Sequence, residues 1–269
     1  MAPPSSAREA ASEPAAKGAG ERDGGVQSLN RALSLLDALA ENDEGLSLTG
    51  LAKAVSLPAS STHRLLTTLQ RKRFVRFDSA TMTWRVGVQA FVVGGAFARS
   101  REVAPVAMPY MRRLREQTGE TVNLYVPDGG QAICIAQVQS QQTIRAISRP
   151  GGGVPMHRSA AGKTILARMS PAEVDAWLDA HVDALSARAR RELHAGLGVI
   201  RKRGYAFDDE EVAAGLRCIA TAIVDEHGAG HGALSIAGPI TRITDARLDL
   251  LAADVLAAGE AGTQSFGGK

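Results

Sequence analysis

Cysteine is scarce: the 269 residues hold two, Cys134 and Cys218, far apart in the chain. Two thiols make neither a disulfide framework nor a Cys-rich zinc site, so both are expected to be reduced, and no metal is expected. Long apolar runs are missing as well. No stretch approaches the roughly 20 consecutive apolar residues that span a bilayer, and the opening MAPPSSAREAASEPAAKGAG lacks the apolar core of a signal peptide. A cytoplasmic protein with no membrane partner is the expectation. A phosphate loop is also absent, although Gly162-Lys163-Thr164 has the right ending. Where its first glycine belongs, five residues before Gly162, stands His157. No cofactor is expected.

What is present is an ordinary globular composition, 45% hydrophobic and 22% charged, in a chain long enough for two cores. The net charge of +3 is unevenly placed. Residues 26–101 carry ten Lys/Arg against five Asp/Glu, whereas residues 1–25 carry three against four and residues 102–269 eighteen against nineteen. A basic segment joined to a nearly neutral remainder points to a head that binds a polyanion and a body with another task.

Residues 1–24, rich in Ala, Pro, Ser and Gly without apolar periodicity, read as a flexible tail. From Leu29, apolar residues recur at three- and four-residue spacing through Leu39 and Ala40, predicting a helix that the Asn42-Asp43-Glu44-Gly45 cluster ends. A short helix over Leu48–Val55, capped by Ser47 or Thr49, is broken by Ser56-Leu57-Pro58, and a third runs from about Ser60 to Lys72. Two short helices about a tight turn make a helix-turn-helix. Phe74–Phe77 and Thr83–Val86 are β-type runs that complete it with a wing. Gln89–Arg101, with Gly94 and Gly95, reads as a linker helix whose small residues suit close packing in a dimer, followed by a helix over Val106–Thr118. Strands are expected at Thr121–Val126, Ala132–Gln139, Thr143–Ile147, Cys218–Val224 and Gly232–Ala237, and helices at Ser159–Met169, Pro171–Leu178, Arg188–Arg203 and Asp245–Ala258. The fold class is therefore α+β, with a mostly antiparallel sheet in the larger domain. The expected divisions are a winged helix-turn-helix at 25–87, a linker helix at 88–104, an effector domain at 105–258 and a flexible tail at 259–269.

The third helix carries the candidate DNA contacts: Ser60, Ser61, Thr62, His63, Arg64, Thr67 and Thr68 offer hydroxyl, imidazole and guanidinium groups. Arg64 is placed for a bidentate contact to a guanine edge. Arg71, Lys72, Arg73, Arg76 and Arg85 supply charge for phosphates, an interaction that weakens with salt. No catalytic residues are expected.

In the body, the small-residue entry into the Ser159 helix leaves the N–H groups of Ala160 and Ala161 free for a carboxylate. Asp208, Cys218 and Ser235 are short polar groups around an otherwise apolar strand pair, with Val154 and Leu216 as apolar walls. A rival reading makes Cys218 the nucleophile of a small-acid hydrolase with His231 or His157 as base, but no third group orients either histidine. Another, an architectural DNA-binding module, leaves those polar residues unused.

The segments LPASSTHRLLTTLQRKRFVR, GETVNLYV, VPMHRSAAGK, RKRGYAFDDEE, GLRCIA and SIAGPITRIT stand in an order that resembles the IclR family of bacterial regulators. The resemblance covers about residues 26–258. It implies a transcriptional repressor with a winged helix, a linker helix and a GAF-like effector domain, assembled as a homodimer or dimer of dimers on palindromic operator DNA of the nucleoid. It also implies effector contacts at the Ala160 and Ala161 N–H groups and at Asp208, Cys218 and Ser235, with Val154, Leu216 and Ala146 as walls. The effector implied is a small carboxylate such as glyoxylate or pyruvate, in control of the glyoxylate bypass; aromatic or other carboxylates are the alternative. One departure stands out: where the family pattern has a second serine, two residues after Ser235, this chain has Ala237.

Overall fold

A computed structural model describes residues 26–100, 103–146, 148–225 and 227–265. The tail expected at residues 1–24 lies outside them. The chain divides into two compact units, one reaching Gly94 and the other starting at Gly95.

The first unit is built from α1 (Gln27–Ala40), α2 (Leu48–Ala54), α3 (Ala59–Arg71), β1 (Val75–Asp78) and β2 (Thr83–Val86). Its core is small: Leu35 and Leu39 of α1, Leu51 of α2, Leu66 of α3, Val75 of β1 and Trp84 of β2. Ser47 caps α2 by accepting from the Gly50 N–H, one of the two caps expected. β1 and β2 pair antiparallel with Phe77 opposite Trp84, and Leu46 bridges to Trp84 from the other side. Gly45, at φ +80, makes that bridge possible, since a Cβ there would lie 2.5 Å from the Trp84 carbonyl oxygen. The helix α4 (Val88–Ser100) follows at the expected linker position.

The second unit contains α5 (Val103–Thr118), β3 (Thr121–Asp128), β4 (Gln131–Val138), β5 (Gly153–Pro155), α6 (Ala160–Leu166), α7 (Pro171–His181), α8 (Ala187–Arg203), β6 (Tyr205–Asp209), β7 (Leu216–Val224), β8 (Gly230–Pro239) and α9 (Asp245–Ser265). Its six strands form one antiparallel sheet in the order β5-β4-β3-β8-β7-β6. Both faces are covered, which explains why β3 and β7 are buried along nearly their whole length. Val122, Leu124, Ile219, Leu234 and Ile236 pack under α5 and α9. Tyr125, Ala220 and Ala233 face α6, α7 and α8 on the other side. A register shift at Leu124/Tyr125 takes up Ile135, so Cys134 joins Tyr125 on that second face. Arg242 ties the edge of the fold together with paired hydrogen bonds of 2.6 and 2.7 Å to the buried Glu120 carboxylate.

Two expectations are corrected. The segment over 143–146 is not a strand: Ile144 is 72% exposed, and the free edge of β4 is taken by β5 instead. Ile147 lies outside the described residues. The closing helix does not stop at Ala258 before a flexible tail. It continues to Ser265, because Gly259 and Gly262 pack it flush against β7 residues Thr221 and Ile223 and Thr263 accepts from the Val224 N–H. β5 and β6 were not anticipated as strands.

Among the described residues no helix is long and apolar enough to cross a membrane, and no group of three His, Cys, Asp or Glu side chains is placed to hold a metal ion.

Candidate functional site

In the first unit, α3 begins after Pro58 with no side-chain cap, leaving its first-turn N–H groups available to an anion. Ser60, His63, Arg64, Thr68, Arg71 and Lys72 are exposed along it, and Ser61 and Thr67 are half-buried. Thr62 is not on this surface. It is fully buried, one turn before Leu66 on the core face, and donates to the Pro58 carbonyl. The Thr67 and Thr68 hydroxyls donate to the carbonyls of His63 and Arg64 at 2.8 and 3.0 Å. Their protons are therefore used, and what they offer outward is acceptor capacity. A surface groove runs past Ser61, His63, Arg64, Thr67, Thr68 and Arg71, and Ser28 and Arg31 of α1 form its opposite rim. Those two went unnoticed in the sequence, where their three-residue spacing on one helix face was the available signal.

The wing places Arg76 in solvent. Arg85, its cross-strand partner, folds back instead: its guanidinium donates to the Asp43 carbonyl and lies 3.9 Å from Asp78. Asp78 itself accepts from the Ala80 and Thr81 N–H groups at the wing tip, which holds its carboxyl below the usual range.

In the second unit the structure brings Val154, Ala160, Ala161, Asp208, Leu216, Cys218 and Ser235 around one partly open cavity of about 50 Å³. Ala146 is buried but is not in its wall; its carbonyl accepts from Thr121. Tyr125, Ser148, Ser159 and Val212 complete the lining and were not anticipated. Tyr125 lies two positions from Asn123 on β3 and so shares the face of Ser235, the register partner of Asn123. The Tyr125 hydroxyl donates to Ser148 Oγ at 3.4 Å.

Each wall has a local cause. Ser159 caps α6 by accepting from Gly162 N–H, so the N–H groups of Ala160 and Ala161 keep no acceptor within the helix. Gly162 lets α6 press against the preceding loop, where a Cβ would lie 2.2 Å from Met156 Cα. Asp208 and Cys218 are register partners on β6 and β7, and Cys218 in turn pairs with Ala237 on β8. Asp208 accepts from the Glu211 N–H at 2.8 Å. Glu211 is gripped by Lys163 Nζ at 2.5 and 2.6 Å and by the Arg158 guanidinium on its carbonyl, fixing the loop that carries Val212 over the cavity. Lys163 is thus a clasp on a carboxylate of this chain.

Burial pushes the Asp208 carboxyl up from its ordinary range, against the opposing Glu211 hydrogen bond. Burial likewise pushes the Cys218 thiol up, with Asp208 adding to it, which is the reverse of what a nucleophile needs. No histidine lines the cavity, and His231 is paired with Asp225 at 2.7 Å on the surface. The arrangement can bind a small polar molecule, and the Asp208 carboxylate beside the thiol holds its proton on rather than off.

Residues 28–79 match the family described as the IclR helix-turn-helix domain, and residues 95–262 match the bacterial transcriptional regulator IclR C-terminal domain. The chain belongs to the IclR family. It is 46% identical over 253 residues to the acetate operon repressor of Salmonella typhimurium, covering 91% of this chain and 92% of the relative. To the transcriptional repressor IclR of Escherichia coli it is 44% identical with the same coverage. Among solved structures, IclR of Thermotoga maritima superposes with a TM-score of 0.73 at 26% identity, over 89% of this chain and 98% of that one. The chain is accordingly a DNA-binding transcriptional repressor and not an enzyme. IclR-family regulators bind operator DNA and small-molecule effectors, the two tasks that the groove and the cavity suit.

Proposed function

We propose that this small cavity binds a 2-oxo acid of the size of glyoxylate or pyruvate, and that its occupancy sets how the winged helix grips a palindromic operator controlling acetate or glyoxylate metabolism. The observation that carries this reading is the cavity's size and lining together. An apolar cavity of about 150 Å³ accepts benzene, whereas this one measures about 50 Å³ and leaves room for a handful of non-hydrogen atoms. That favours a two- or three-carbon acid over an aromatic one. Asp208, Cys218, Ser235 and the Ala160 and Ala161 N–H groups give such an acid hydrogen-bonding partners, and Val154, Val212 and Leu216 enclose it.

On the DNA side, Arg64 reads a base edge in the major groove while Arg71, Lys72 and Arg76 grip phosphates. The operator is palindromic because the protein acts as a homodimer or dimer of dimers on the nucleoid. Its seam is α4, where Phe91 is 80% exposed beside the exposed Val88, Val92 and Val93. Effector and operator are then linked: the acid shifts DNA affinity only by its difference in affinity between the DNA-competent and DNA-incompetent arrangements.

Titration calorimetry of the full chain with glyoxylate and with pyruvate tests the effector reading, run beside Asp208→Ala and Ala237→Ser. Heat from either acid, lost in the first variant and strengthened in the second, is the expected result. No heat from either acid with the unmodified chain removes the 2-oxo acid from the reading. A monomer in sedimentation at micromolar concentration would remove the dimer seam.

A further inference from the structure

Beside the cavity, just behind the residues that line it, is a buried donor that has nothing to donate to. Asn123 lies fully buried in β3, register partner of Ser235 on β8, on the face it shares with Tyr125. Its Oδ1 accepts from Gln137 Nε2 at 2.9 Å, and the same Nε2 also donates to the Ser148 carbonyl. A carbonyl can only accept, so Gln137 must present its nitrogen to this corner, and Asn123 must answer with its oxygen. The Asn123 amide is thereby oriented with Oδ1 toward β4. Nδ2 is left buried and without a partner.

Among the described residues no other side-chain amide is in this position. Leaving a buried donor unpaired costs free energy that replacement by an apolar side chain of similar size avoids, so its retention needs an explanation. The neighbours supply one. Ser235 and Tyr125 are both in the cavity wall, and Ser148, whose carbonyl orients the pair of amides, lines it as well. Ala237, on the same face of β8 as Ser235, has no hydroxyl to offer.

We infer that Asn123 Nδ2 is a ligand donor of the cavity and receives the oxo oxygen of the bound acid, which makes it the group that separates 2-oxo acids from acids lacking that oxygen. This rests on the effector reading above and deepens it. The carboxylate is held by the other lining groups; Asn123 reads the second functional group.

The test compares two probes in two proteins. Pyruvate and propionate share a chain length and a carboxylate and differ in the oxo oxygen. Titrated into the full-length protein, pyruvate binds roughly tenfold or more tightly than propionate, the value of about one hydrogen bond. In Asn123→Leu, which keeps the branched outline and removes the amide, that preference collapses to within about threefold while propionate affinity changes little. General damage to the pocket weakens both acids alike and leaves the ratio standing, so a preserved ratio overturns the inference. Should the leucine variant fail to fold by circular dichroism, Asn123→Ala gives the same ratio. A folded variant that binds neither acid also overturns it, because loss of the oxo contact alone does not release the carboxylate. Equal binding of both acids by the unmodified chain overturns it too, with the effector reading intact; binding of neither removes both.

Discussion

The two units present their polar residues in opposite ways. The first turns His63, Arg64, Thr68 and Arg71 outward over a core of a few leucines and Trp84, where water solvates them. The second turns Asp208 and Ser235 inward, buried between a sheet and its helices, where an unpaired group is costly. Recognition by the first is therefore long-ranged, electrostatic and sensitive to salt. Recognition by the second is short-ranged and set by donors, acceptors and protonation. Trp84 and Trp177, the chain's two tryptophans, fall one in each unit, so fluorescence of single-tryptophan variants follows them separately.

The strongest way to break the contrast is to damage one unit alone. Arg242→Ala strands the buried Glu120 carboxylate, and loss of a partner from a buried pair costs about 3–5 kcal/mol. Arg242 is 26% exposed, so we expect about 3 kcal/mol, the lower end of that range. Urea unfolding followed by Trp177 should shift accordingly, with the Trp84 transition in place; a shared shift would mean the units do not unfold independently.

Next in size is operator binding. Arg64→Ala should weaken it by about 1–3 kcal/mol and relax preference at one base pair, whereas Arg71→Ala should weaken all sequences alike and lower the salt slope by about 1. Fluorescence anisotropy across salt concentrations distinguishes the two, and identical behaviour of both variants would remove base reading from Arg64. Ser47→Ala, which deletes the α2 cap, should cost the first unit about 1 kcal/mol by Trp84 fluorescence.

The smallest effect concerns pH. Burial already raises the Asp208 carboxyl, and an anionic ligand beside it raises it further, so the complex takes up a proton that the free protein lacks. By linkage, effector affinity rises as pH falls toward that raised value and is lost as pH climbs above it. In Asp208→Asn, neutral throughout, calorimetry should find the affinity flat with pH; a slope equal to that of the unmodified chain would assign the proton elsewhere.

How much of this was visible in the sequence also differs between the units. In the first, three- and four-residue periodicity, the Ser47 cap and the β-type runs of the wing located every element. The exception at residue level is instructive: Thr62 looked like a DNA contact by chemistry, but its one-turn spacing to Leu66 puts it on the core face. Arg85 shows the reverse problem, since the Asp43 carbonyl that engages it is distant in sequence. In the second unit Asp208, Cys218 and Ser235 were readable as polar interruptions in apolar strands. Tyr125 and Asn123 were not, because β3 is buried on both faces and offers no alternation to follow, and Ser148 lies outside any strand. Their roles depend on a register shift at Tyr125 and on which strand lies beside which. The Thr143 segment failed for a related reason: β-type composition does not create a free sheet edge.

The central claim is that a ligand in the buried cavity governs the exposed groove. Its most direct test is anisotropy of a labelled duplex, selected from random DNA by the protein itself, titrated with protein in the presence and absence of pyruvate or glyoxylate. The account predicts an affinity for DNA that changes with the acid in the unmodified chain and is unaffected by it in Asp208→Ala, which still binds the duplex. An acid that binds in the cavity by calorimetry yet leaves DNA affinity unaltered would contradict it.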